Sequence, residues 1–133
     1  MENKSKKILS EISAGELLDK ISILEIKLEK VNNIDSKAQI KKEYITLKQT
    51  LDSSIKLDGK IKDLFNSLKS TNRKLWNIED NIRVCEKNKD FGEKFIKLAR
   101  DVYLNNDDRS KIKSDINKLL KSNIVEVKQY VNY

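Results

Sequence analysis

Histidine and proline are absent from this 133-residue sequence, and only three glycines and a single cysteine occur. Without histidine, the usual proton carrier near neutrality is missing, so any acid–base step would fall to a carboxylate, lysine, tyrosine or water. A lone Cys85 excludes an intramolecular disulfide and a zinc site built on paired thiolates, and it suits a reducing compartment. Missing too are the Gly-rich phosphate loop, the Gly-x-Ser-x-Gly elbow and a His-based metal motif. The opening M-E-N-K-S-K-K-I-L-S has no apolar run of signal-peptide length, and no stretch approaches a membrane span. A soluble, cytoplasmic protein without membrane contact is expected.

What is present is charge: 37% of the residues are Asp, Glu, Lys or Arg, for a net charge of +7. The excess is evenly spread, 14 basic against 11 acidic residues in 1–69 and 14 against 10 in 70–133, so there is no basic arm. RNA or DNA binding is thereby weakened as a reading but kept as a second alternative. Freedom from proline and scarcity of glycine favour long helices. The fold class expected is mainly α, a single-domain bundle of about five helices with a long antiparallel hairpin and a short extended C-terminal tail.

Residues 1–12 read as a flexible or extended segment, with Lys4, Lys6 and Lys7 a solvated terminus, and 13–133 as one helical domain. Ser13 with Glu16 fits a capping box, and helix one follows to about Val31 on a stripe of Leu17, Ile21, Leu24, Leu28 and Val31, with Glu16, Asp19 and Lys20 on its flank. Helix two is expected over about 35–57 through Ile40, Tyr44, Leu47, Leu51 and Ile55. Asp58-Gly59 reverses the chain, and helix three, about 60–88, returns as the partner of helix two. A break near Ser70-Thr71-Asn72 is weighed, because these side chains compete for backbone bonds. Asp90 with Glu93 opens helix four, with Phe91, Phe95, Leu98 and Val102 inward; Asn105-Asn106-Asp107-Asp108 then interrupts, and helix five covers about 108–121 through Ile112, Ile116 and Leu119. Val125, Val127 and Val131 alternate in a tail that could pair with residues 8–12.

The stretch 72–86 stands out. Leu75, Ile78, Ile82 and Cys85 form its apolar stripe, which makes Cys85 a small buried hydrophobe rather than a nucleophile. Asn72, Trp76, Glu79, Arg83 and Glu86 share a second face. Of 28 basic residues only four are arginine, Arg73, Arg83, Arg100 and Arg109. Where lysine is the generic cation, arginine suggests a need for the planar fork that grips carboxylate or phosphate. Arg83 follows Glu79 by four; Arg100, Tyr103 and Asp107 make a second line; Arg109, Lys113 and Asn117 a third. The functional reading is a cleft for an anionic small molecule or acidic protein segment, clamped by Arg83, Arg100 and Arg109, with Trp76 or Tyr103 stacking and Glu79 or Asp80 orienting the arginines or holding a metal. The competing reading makes the same groups inter-helix salt bridges and caps.

An enzyme alternative, metal-dependent phosphate processing of the helical nucleoside triphosphate pyrophosphatase type, would draw Glu16, Asp19, Glu79 and Glu86 around Mg²⁺. The doubled carboxylate motif of that superfamily is not reproduced, and Mg²⁺ belongs only to this alternative. A second stripe on the long hairpin offers a face to a homodimer.

Four pieces, S-A-G-E-L-L-D-K-I-S-I-L-E-I-K from Ser13, L-W-N-I-E-D-N-I-R from Leu75, F-I-K-L-A-R-D-V-Y-L-N-N-D-D-R from Phe95 and E-V-K-Q-Y from Glu126, resemble a small uncharacterised bacterial family of unknown function. The resemblance implies that 13–133 is one unit. It adds Lys20, Asn106, Lys113, Glu126 and Lys128 as positions of interest, and it implies no activity.

Overall fold

α1 (Ala14–Lys30) is buried on nearly every side, and the other helices are arranged around it. The computed structural model describes residues 6–133, so the expected solvated start, with Lys4, lies partly outside the described residues. Within them are four helices: α1, α2 (Ile34–Ser54), α3 (Gly59–Lys87) and α4 (Glu93–Leu119), with no strand. No helix among these residues is long and apolar enough to cross a membrane.

α1 begins where the sequence indicates. The Ser13 hydroxyl accepts from the Glu16 amide at 3.2 Å, satisfying a free N–H of the first turn. The expected stripe is buried at Leu17, Ile21 and Leu24, but so are Leu18 and Ile26. A helix apolar on more than one side sits inside a bundle. The core joins Leu17, Leu18 and Ile21 to Leu51 of α2, Ile61, Phe65 and Leu68 of α3, and Ile116 of α4.

The expected pairing of helices two and three is corrected. α2 packs against α1, while α3 packs against α4 and α1; α2 and α3 nowhere bring Cα atoms within 8 Å. The reason lies in the connection at 55–58. Ile55 and Leu57 pack against the core, Gly59 takes φ +52°, and α3 sets out against α1 and α4 instead of doubling back on α2. The two hairpins are therefore α1–α2 and α3–α4. Of the 21 residues of α2 only Leu51 is buried.

Helices four and five are one. α4 runs unbroken through Asn105-Asn106-Asp107-Asp108, because these side chains bond in ways that a helix permits. Asn105 Nδ2 donates to the Asp101 carbonyl one turn back at 2.8 Å, and Asn106 accepts from Arg109. Packing of α4 on α3 and α1 overrides the weak propensity of these residues. α3 likewise continues through Ser70-Thr71-Asn72, where Thr71 and Asn72 are buried. Phe91, expected inside, is half exposed and meets Phe95 edge to face at 5.4 Å. Cys85 is buried and free, as its place on the stripe implies.

Residues 120–133 leave α4 and turn back along it. Lys113 bonds Glu126, and Asp107 bonds Tyr133, so the tail runs antiparallel to the helix. Its last nine residues carry neither helix nor strand and form no ladder with residues 8–12; the two segments meet through Asn123 Nδ2 and Glu11 at 2.7 Å.

Candidate functional site

Asp19, placed on the flank of helix one by periodicity, is instead the most enclosed acid of the bundle, with 1% of its surface exposed. A charge there needs partners, and it has them. Arg109 grips it in two places, Nε to Oδ1 at 3.1 Å and Nη2 to Oδ2 at 2.7 Å. Asn72 Nδ2 donates to Oδ1 at 2.8 Å and also to the Ser22 hydroxyl at 2.8 Å. Lys113 Nζ stands 3.7 Å from Oδ2 and is itself claimed by Glu16 at 2.8 Å and Glu126 at 3.2 Å. The network ties α1, α3, α4 and the tail together.

Its titration follows from that geometry. Burial pushes the Lys113 ammonium down, but the bonds to Glu16 and Glu126 and the charge of Asp19 outweigh it and hold Lys113 above its ordinary value of 10.5. The Lys113 bond holds the Glu126 carboxyl below its ordinary value of 4.5. A lowered glutamate stabilises the native arrangement above its unfolded value and stops doing so as pH falls through the folded one. A raised lysine contributes below its unfolded value and is lost as pH rises through the folded one. The tail latch is thus closed at neutral pH. Acidification below about pH 4 is expected to move the amide resonances of residues 124–130 toward random-coil positions while those of α1 and α3 stay; a tail unaffected until global unfolding would contradict the latch.

Beside the network lies an open cleft of about 520 Å³ between α3 and α4. Trp76, Glu79, Asp80 and Arg83 line it from α3 opposite Asn106 and Arg109 of α4, with Asn72, Leu75 and Ile23 completing the wall. A second cavity of about 580 Å³ opens between α4 and the tail, lined by Tyr103, Asp107, Ser110, Lys128 and Tyr130 among others, and it shares Asn106 with the first. Most of the sequence-derived residues are thus divided between two cavities, while Lys20, Arg100 and Lys113 line neither. Two of the three arginines expected in one clamp, Arg83 and Arg109, do share a cleft. The third does not: Arg100 is exposed on α4 and lines neither cavity, because it stands more than two turns before Arg109 on one continuous helix. Lys20 is exposed and pairs with Glu16 at 3.7 Å, while Lys113 is buried and fully engaged.

The carboxylates of the enzyme alternative do not converge. Asp19 and Glu16 are occupied by Arg109, Asn72 and Lys113, Glu79 is bonded to Arg83, and among the described residues no three His, Cys, Asp or Glu side chains are placed to hold a metal. Sequence reasoning passed over Gly15, Ser22 and the tyrosines of the tail. For Gly15 and Ser22 a signal existed: they lie on α1 faces that look solvent-exposed only if α1 is taken to bury a single stripe.

The match to a family model covers residues 8–133. The chain belongs to the family of unknown function DUF6165. This match takes in α1–α4, the tail and both cavities. No curated protein and no solved structure matches the chain.

Proposed function

We propose that this protein is a non-catalytic binding module whose α3–α4 cleft accepts an anionic small molecule bearing a carboxylate or phosphate and a planar part. One observation carries the reading. Arg109 spends three of its five N–H donors on Asp19 and Asn106 and stands at the cleft wall with one N–H left on each terminal nitrogen. Its guanidinium is fixed in place by a buried carboxylate before any ligand arrives, which lowers the ordering cost of binding. Arg83 supplies a second cation across the cleft. Its only acidic partner among the described residues is Glu79 one turn away, and with 71% of the Arg83 side chain exposed that pair is weak and easily redirected. Trp76 lines the same cleft and would stack on a planar group.

Trp76 is the only tryptophan, so its fluorescence reports directly on the cleft. Titration with nucleoside phosphates, sugar phosphates and dicarboxylates is expected to yield at least one saturable change. In Arg83→Ala the affinity should fall about tenfold or more, while stability changes by no more than about 0.5 kcal/mol. Binding indifferent to Arg83→Ala, or no saturable response to any of the three classes, would reject the reading.

A further inference from the structure

The cavity between α4 and the tail is lined by phenols where the arginine cleft presents guanidinium groups. Tyr103 and Tyr133 meet edge to face with ring centroids 5.7 Å apart and planes at 80°, and Tyr130 adds a third phenol to the lining. The Asp107 carboxylate opens into it. The Tyr133 hydroxyl donates to Oδ2 of Asp107, and Oδ1 has no protein donor among the described residues. The one cation in the lining, Lys128, has its ammonium 3.8 Å from Glu126 on the tail. The lining thus combines three phenol rings, one carboxylate with an oxygen free of protein donors, and one ammonium that faces a carboxylate of its own.

Ring faces attract a cation through their quadrupole when it lies within about 6 Å of the centroid. A bulky alkylammonium suits such walls better than a metal ion, because its charge is spread over methyl groups that also favour an apolar surface. We propose that the tyrosine-lined cavity between α4 and the C-terminal tail is a binding site for an organic ammonium ion of the quaternary or methylated class. About 580 Å³ leaves room for the substituents that such a ligand carries. The site shares only Asn106 with the arginine cleft, so either reading can fail alone.

The test compares choline with its neutral tert-butyl analogue, the same shape without the charge, followed through the tyrosine ring resonances of the full chain. Choline is expected to shift Tyr103, Tyr130 and Tyr133 saturably and to bind about tenfold more tightly than the neutral analogue. Tyr130→Leu keeps an apolar side chain at a position 70% exposed, so it should leave the fold intact and weaken choline about two- to fivefold. Lys128→Gln should strengthen binding by removing the one like charge. Equal binding of the neutral analogue, loss of binding in Lys128→Gln, or tyrosine resonances unmoved by choline would each overturn the assignment.

Discussion

Asp19→Ala is expected to destabilise the protein by about 3–5 kcal/mol, the largest effect of any single polar substitution in the bundle. The variant would leave Arg109 half buried without its fork partner, Lys113 with one acid fewer, and Asn72 with only Ser22 to receive its amide. Urea denaturation followed by helical circular dichroism measures the loss. The cause is uncompensated burial rather than a missing attraction, so the size of the effect depends on what else is changed. Asp19→Leu combined with Arg109→Leu removes both charges and should cost clearly less than the sum of the two single variants. Strict additivity would mean that the pair is not coupled, and a loss below about 1 kcal/mol in Asp19→Ala would mean that water or rearrangement serves the cations as well as the carboxylate does.

Gly15→Ala should cost about 1–3 kcal/mol, although alanine is ordinarily the better helix former. A methyl group there would stand 2.7 Å from the Lys113 carbonyl and 3.0 Å from Asn117 Oδ1, so α1 and α4 could not keep their approach. Three bonds cross at that point: the Gly15 amide to Asn117 at 2.7 Å, the Ala14 amide to the Ser122 hydroxyl at 3.1 Å, and Lys113 to Glu16 at 2.8 Å. Gly92→Ala is the control, since its added carbon would meet only the Asp90 carboxylate at 3.4 Å. Thermal melts should separate the two by roughly 3–5 °C for each kcal/mol. Equal melting of both variants would show that the α1–α4 crossing relaxes freely.

Periodicity located α1 and α3 closely, and it found the stripe ending in Cys85, because burial on one face writes a pattern at three and four residue steps. It misjudged the pairing of helices, since the pattern names the buried face and not the neighbour that covers it. It also cut α4 in two at Asn105–Asp108, where composition suggests a stop and the side chains instead bond to the helix itself, to Arg109 and to the tail. In the candidate site, the face Asn72, Trp76, Glu79, Arg83 was legible as a polar wall beside the stripe. The role of Asp19 was not, because an acid beside leucines looks solvent-facing until three other segments are known to enclose it. Tyr130 and Tyr133 lie in a tail without helical spacing, and only the return of the chain along α4 brings them to Tyr103.

The continuity of α4 acts as a ruler. Tyr103 and Arg109 are six positions apart on one unbroken helix, which fixes their separation along its axis at about 9 Å. A small ion or an ammonium headgroup can therefore touch the aromatic end or the guanidinium end, and only a molecule at least that long reaches both.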